Sequence, residues 1–301
     1  MYDIIGDVHG HAALLKMMLL ELGYKKTDSG YAHPERKAIF VGDFINRGPQ
    51  IKKTVRMIRT MVENQHAHAI LGNHEMNSII SYIKYKMDVF TRNDVYELKT
   101  LNEYRDNQEE WADTIKWLRT LPLFIDLKDI RIVHACWSDK AVDYLRENLT
   151  PGKIKKEVIR ALFKNQEDLM PQNIWLLIKG LNFKMPGDMK VKNNKGVSPR
   201  TFRMRWWEEP TGKTFEEISF ESKYQFPHYT IPPQIAPDFQ PYPEDAPIVF
   251  FGHYCRSNGP YIIRPNLCCL DSCINGSKSL LAYRWNGEKQ LSEANLVRVK
   301  K

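Results

Sequence analysis

Short apolar runs that stop abruptly in polar clusters set the pattern of this chain. Four of them, YDIIGDVHG, KAIFVGDFINRG, HAHAILGNHE and IRIVHAC, pass from aliphatic residues into glycine, aspartate, asparagine or histidine. Runs of that length predict buried strands, with the polar groups in loops at the strands' carboxyl ends. Between the first two, HAALLKMMLLELGY has helical apolar spacing and closes at Gly23, which predicts a β-α-β start. IKKTVRMIRTMVENQ then places Ile51, Val55, Ile58 and Met61 or Val62 on one face, predicting a second helix packed on the core.

From Met76 to about Arg119 the spacing is helix-like, with Trp111 and Trp117 turned toward a core, and it gives way to a strand in LPLFIDL. A second helical block, roughly Lys153 to Lys179, precedes a loop-like segment rich in Gly, Asn, Lys and Arg. The Pro-rich stretch from Phe226 to Pro247 interleaves aromatics, so an ordered irregular connection is expected there rather than a disordered linker. Strands return in IVFFGHY, LCCLDSC and SLLAYRW, the last two reading as a hairpin-like pair. The expected class is α/β, as one domain over residues 1–301 with insertions at about 76–120 and 150–245.

Composition adds little and excludes some classes. The chain has 301 residues, enough for a substantial core, and a formal net charge of +8, which biases its surface toward phosphorylated or polyanionic partners. Neither a leader pattern nor an apolar run of membrane-spanning length is found, so a cytoplasmic protein without membrane attachment is expected. The five cysteines (Cys136, Cys255, Cys268, Cys269, Cys273) are odd in number and lack a CxxC pair; reduced thiols packed as small hydrophobes are expected.

The polar clusters carry the chemistry. Asp7 and His9, Asp43, Asn73 and His74, His134 and His253 all sit at predicted strand ends. Carboxylate, imidazole and amide donors without thiolates suit Mn, Fe, Zn or similar divalent ions. Two ions are the natural count, because one carboxylate such as Asp43 can bridge a pair about 3.5–4 Å apart that clamps an in-line displacement at phosphorus. Each piece alone is a weak signal; GDVHG, GDFINRG and GNHE in that order, each after an apolar run, form a strong one.

With these motifs the chain resembles a bacterial calcineurin-like metallophosphoesterase of the phosphoprotein-phosphatase type, a group that includes Ser/Thr protein phosphatases and symmetrical diadenosine tetraphosphatases. The resemblance implies a sandwich of two mixed β-sheets flanked by helices, with helical and loop insertions over the active site. It implies two divalent ions, most naturally Mn with Fe, Zn or Ni as alternatives: Asp7 and His9 on the first, Asp43 bridging, and Asn73, His134 and His253 on the second. His74 would be the general acid and Arg47 a two-pronged phosphate ligand. A second arginine is expected from TFRMRWW, with Arg203 preferred over Arg205. The implied reaction is direct attack of a metal-bridging hydroxide on a phosphomonoester, in a phosphoprotein or a small phosphate ester. The alternatives are a symmetrical dinucleoside polyphosphate hydrolase, prompted by FRMR and the basic Lys179–Arg205 segment, or an RNA-end phosphatase. From another class stands a non-catalytic metal-binding scaffold. The partner is a phosphorylated protein, small molecule or nucleotide, without stable nucleic-acid binding.

Three positions depart from the family pattern: Asn46 replaces an aspartate of GDxxDRG, and Cys136 and Cys273 replace glycines of HAG and LDSG. Close packing is the expectation for both cysteines. Asn46 is expected to keep a hydrogen-bond acceptor beside His74 but removes a charge, which would make His74 a weaker or more acidic general acid and favour substrates with good leaving groups. Glu75 is expected to fix the GNHE turn, and His11, His33, His66, His68 and His228 to be solvated or hydrogen-bonded surface residues.

Overall fold

The computed structural model describes residues 1–92, 97–185, 191–193, 200–220, 224–226, 228, 230–256 and 258–301. The chain divides into a larger unit, Met1–Ile178 with Pro247–Lys301, and a smaller one, Lys179–Ala246.

The larger unit opens with β1 (Tyr2–Ile5), α1 (Ala12–Glu21), the small hairpin β2 (Lys25–Thr27) and β3 (Gly30–Ala32), β4 (Lys37–Phe40), α2 (Ile51–Glu63) and β5 (Ala67–Ala69). Then come α3 (Asn73–Tyr85), a 3-10 turn, α4 (Leu98–Tyr104) and α5 (Gln108–Leu118), so the expected helical stretch is broken into several pieces. β6 (Phe124–Asp126), β7 (Ile130–Val133), α6 (Asp139–Asn148), α7 (Lys156–Lys164) and α8 (Leu169–Lys179) complete the first part. The smaller unit holds β8 (Asn182–Lys184), β9 (Lys192–Asn193), β10 (Thr201–Arg203), α9 (Phe215–Ile218) and β11 (Tyr224–Gln225). After it the chain adds β12 (Ile248–Phe251), β13 (Ile262–Arg264), β14 (Leu267–Cys269), α10 (Ile274–Ser277), β15 (Ser279–Trp285) and β16 (Leu296–Lys300).

Two five-stranded mixed sheets form the larger unit, in the orders β16-β15-β1-β4-β5 and β13-β14-β12-β7-β6. Within the first, β1, β4 and β5 run parallel, and within the second so do β7, β12 and β14. Alternate residues on the strands meet between the sheets: Ile4, Ile39, Leu281 and Tyr283 from one and Ile130, Ile132, Ile248 and Phe250 from the other build a single buried core. The opposite faces, with Ile5 and Phe40, are also buried, and α1 packs against β15 and β16 while α2 packs against β5. Burial on both faces explains why the strands read as continuous apolar runs.

One expectation fails here. LCC and SLLAYRW do not pair: β14 lies between β13 and β12, so both its edges are filled, and β15 instead sits between β1 and β16 in the other sheet. The smaller unit has its own aromatic cluster around Phe183, Phe202, Phe215 and Phe226. Of the basic Lys179–Arg205 segment, positions 186–190 and 194–199 lie outside the described residues, as do 227 and 229 of the Pro-rich stretch. Among the described residues no helix is long and apolar enough to cross a membrane.

Candidate metal centre

Parallel order puts the loops after β1, β4 and β5 at one end of the first sheet, and those after β7 and β12 at one end of the second. These loops carry Asp7 and His9, Asp43, His134 and His253, and the one after β5 leads into Asn73 and His74 at the start of α3. The backbone there is unusual. His9, Asp43, Asn46, Arg47 and His253 all have φ between 44° and 62°, a left-handed region that side chains other than glycine enter at a cost of roughly 1–2 kcal/mol each. Strain of that kind collects where a site dictates the chain's path. The loops also approach closely: a Cβ on Gly252 would fall 2.0 Å from Asp7 Oδ1, and one on Gly72 2.2 Å from Asp43 Oδ1.

Asp43 is the hub. Its Oδ2 lies 3.4 Å from His134 Nε2, 3.7 Å from His74 Nε2 and 3.8 Å from His9 Nε2. Its Oδ1 accepts the His74 backbone N–H at 2.9 Å, placing a carboxylate at the N-terminus of α3. His9, Asp43 and His74 form one group with donor atoms within 4.8 Å of one another, and Asp43, His134 and His253 form a second. Asn73 Oδ1 stands 3.1 Å from His134 Nε2, and Asp7 Oδ2 accepts the His253 backbone N–H at 3.2 Å and lies 4.0 Å from His9 Nε2. The larger unit thus brings Asp7, His9, Asp43, Asn73, His74, His134 and His253 together. Arg47 is exposed on the same loop as Asp43, and its charge acts on His9 and His74. Arg203 lies in the smaller unit, on β10 opposite Asn182.

The donors are oriented for ions. His134 donates Nδ1–H to the Val41 carbonyl at 2.8 Å and His9 donates Nδ1–H to Ile45 at 3.1 Å, which leaves each Nε2 facing the cluster; metal-binding imidazoles are commonly held this way. Asp7 Oδ1 is buried and accepts no hydrogen bond among the described residues. Burial, then the nearby Asp271 carboxylate, pushes the Asp7 carboxyl well up, whereas His134 and His74 hold Asp43 well below the usual carboxylate range against its burial. Burial lowers His134, but the charge and hydrogen bond of Asp43, with Asp7, lift it to about 10; burial takes His9 down to about 3. A buried Asp7 raised by its carboxylate neighbours, beside an ionised Asp43 ringed by imidazoles, fits a site built for divalent cations.

Glu75 supports the hub from below. Its two oxygens accept four backbone N–H groups: Asp43 at 2.8 Å and Gly72 at 3.0 Å on Oε2, Phe44 at 3.0 Å and Ile45 at 3.2 Å on Oε1. Burial and the Asp43 charge push its carboxyl up to about 7. One carboxylate therefore ties GNHE to the GDF loop, wider than the single turn expected of it. Beside it, Asn46 Nδ2 donates to His74 Nδ1 at 2.9 Å, so the amide presents a donor and not the expected acceptor, because its Oδ1 is taken by the Thr100 hydroxyl. Burial lowers the His74 imidazole, with Asp43 pulling the other way.

The cysteines need a correction. Cys136, Cys268 and Cys269 are free and buried, but Cys255 and Cys273 form a disulfide, not the reduced packing expected of all five. Their loops follow β12 and β14, adjacent parallel strands, and the Arg256 N–H bonds the Asp271 carbonyl at 2.9 Å, which brings the two residues together. A separation of 18 residues gave no sign of this pairing. Thr100 lies in an ordinary helical stretch with no signal for its place beside Asn46, whereas the aspartate of LDSC, which the family resemblance sets near the metal-bearing loops, is Asp271, whose charge acts on Asp7.

Comparison with known proteins agrees with the geometry. The calcineurin-like phosphoesterase family model matches residues 2–257. An asymmetrical bis(5'-nucleosyl)-tetraphosphatase PrpE from Oceanobacillus iheyensis is 34% identical over 44% of this chain, a match that spans only 54% of that protein's length. A symmetrical bis(5'-nucleosyl)-tetraphosphatase from Marinomonas sp. is 27% identical over 96% of this chain and 95% of its own. Among solved structures, the cold-active protein-tyrosine phosphatase of a psychrophile Shewanella sp. has the same fold, with a TM-score of 0.54 at 17% identity over 94% of this chain and 74% of that one. With its two mixed sheets and its loop-end cluster of His and Asp residues, the chain belongs to the calcineurin-like phosphoesterase family.

Proposed function

We propose that the protein hydrolyses a phosphoanhydride or phosphate ester with two divalent ions, and that a dinucleoside polyphosphate is its preferred substrate. The observation that carries the reading is the gathering of nitrogen and oxygen donors around Asp43, with Asp7 Oδ1 left without a partner among the described residues. Asp7, His9 and Asp43 would hold one ion, and Asp43, Asn73, His134 and His253 the other. Manganese is the proposed metal from the hard and borderline donor set, with Fe, Zn and Ni as competitors. When bound, the ions supply Lewis-acid charge and a nucleophile generated from water near neutral pH.

The chain's own groups do the rest. Arg47 grips phosphate oxygens; Arg203, the second arginine expected from the sequence, lies in the smaller unit. His74, its Nδ1 accepting from Asn46, donates a hydrogen bond from Nε2–H to the departing oxygen and stabilises the charge that develops there. Asn46 gives that ring an amide rather than a carboxylate, so a good leaving group is favoured, and a nucleotide leaving an anhydride is a better one than an alkoxide. Similarity to a symmetrical tetraphosphatase over nearly the whole chain supports the same substrate class.

The test is a substrate panel of diadenosine tetraphosphate, phosphopeptides and 2′,3′-cyclic nucleotides, run on the Mn-loaded protein. The tetraphosphate should be cleaved fastest, and Asp43→Asn and His74→Asn should each lose on the order of a hundredfold or more in kcat. Preference for phosphopeptides would return the reading to a phosphomonoesterase. A metal-loaded Asp43→Asn protein with wild-type rate would refute the two-ion centre, and bound metal without turnover anywhere would favour the scaffold.

A further inference from the structure

Thr100 closes on Asn46 from two sides. It lies on α4, fully buried, 54 residues along the chain. The Asn46 backbone N–H donates to Thr100 Oγ1 at 3.2 Å, and the Thr100 hydroxyl donates to Asn46 Oδ1. A hydroxyl has one hydrogen, and here it is committed to the amide carbonyl. The amide's NH2 end is thereby turned to His74 Nδ1, 2.9 Å away. Turning the amide over would give up the Thr100 O–H···Oδ1 bond, make Oγ1 accept the NH2 as well as the Asn46 backbone N–H, and set Oδ1 toward Nδ1, where it is satisfied only if the ring hydrogen moves to that nitrogen.

An imidazole nitrogen that accepts a hydrogen bond carries no hydrogen of its own. With Nδ1 occupied as acceptor, the ring hydrogen sits on Nε2, the nitrogen 3.7 Å from Asp43 Oδ2. Asn46 itself is held at φ 62°, a conformation that persists only under support from its surroundings, and Thr100 grips both its backbone and its side chain.

We propose that Thr100 is a positioning residue: its hydroxyl fixes which end of the Asn46 amide meets His74 and so keeps the His74 hydrogen on Nε2, where a neutral ring can hydrogen-bond the departing oxygen. The part played in the reaction rests on the role proposed for His74 above; the placement of the ring hydrogen does not. Thr100→Val keeps the shape and removes the hydroxyl, whereas Thr100→Ser keeps the hydroxyl. Ring-nitrogen NMR of zinc-loaded, 15N-histidine-labelled protein reads the tautomer, and steady-state kinetics with the tetraphosphate and an aryl phosphate read the reaction.

Wild type and Thr100→Ser should show His74 with a bare Nδ1 and a hydrogen on Nε2. Thr100→Val should populate the Nδ1–H form and lose about tenfold or more in kcat with little change in KM, and Thr100→Ser should restore both. An unshifted tautomer in Thr100→Val, or Thr100→Ser behaving like Thr100→Val, would overturn the inference. A shifted tautomer with unchanged kcat would remove Thr100 from the reaction. If wild type hydrolyses no phosphate substrate, the functional reading fails, while the ring-nitrogen signals still decide whether Thr100 sets the tautomer.

Discussion

Replacing Glu75 with glutamine tests whether the metal loops are held by one buried carboxylate. Each Glu75 oxygen accepts two backbone N–H groups, four in all, from Asp43, Gly72, Phe44 and Ile45. A glutamine offers one oxygen and one NH2. Whichever way the amide turns, two N–H donors face other hydrogens, and the charge that strengthened the remaining pair is gone. Hydrogen bonds to a charged group contribute about 1.5–3 kcal/mol each, so two lost bonds cost roughly 3–6 kcal/mol. For a unit of this size that lowers Tm by about 10 °C. The assay is thermal and urea unfolding of the metal-free protein at pH 8, above the carboxyl's value of about 7, so that the wild-type group is ionised. Because Asp43 is among the four donors, affinity for manganese should fall as well. A Tm within about 2 °C of wild type, with unchanged metal affinity, would show that the loops are fixed by something other than Glu75.

Two further outcomes follow from buried charge. In the metal-free protein His134 is lifted from its ordinary 6.5 to about 10; its contribution to stability is fully present below pH 6.5 and is lost as pH rises through about 10. Manganese binding near pH 7.5 should therefore release at least one proton, that of His134, read from calorimetry in buffers of different ionisation heat; heats independent of buffer would contradict a protonated His134. At the far side of the first sheet, buried Asp3 accepts from Arg36 Nε at 3.0 Å and Tyr24 Oη at 3.0 Å and lies 3.4 Å from Arg284 Nε. Asp3→Ala leaves the Arg36 guanidinium buried beside no carboxylate and should cost about 3–5 kcal/mol in urea unfolding.

Much of this architecture was legible because its signals are local. A run such as IIGD or IFVGD announces both a buried strand and the loop that ends it, and strand-end placement is what gathers Asp7, Asp43 and His134. The rest depended on which strands become neighbours. SLLAYRW reads as a partner for LCC until β14 is found with both edges filled. The Cys255–Cys273 bond exists because β12 and β14 are parallel neighbours whose following loops run side by side. Thr100 reaches Asn46 only through the path of α4, and a single threonine in LKTLNEY carries no pattern for that. α6 carries little sequence signal for another reason: its apolar face is narrow, with Ala141, Val142 and Leu145 buried.

The place where the smaller unit is spliced in bears on how such a chain could be remade. It leaves the larger unit just after Leu177, whose carbonyl accepts from Ala135 beyond one end of β7, and it returns at Ile248, whose N–H bonds the Asp129 carbonyl before the other end of that strand. Exit and re-entry are thus pinned to opposite ends of one four-residue strand, a gap of roughly 15–20 Å at about 3.3 Å per residue. A bridge of a few extended residues would span it. Both sheets, the Glu75 clamp and every proposed metal ligand lie in the sequence outside the splice, so residues 179–246 form a cassette that recombination can exchange, lengthen or trim while the hydrolytic scaffold keeps its connectivity.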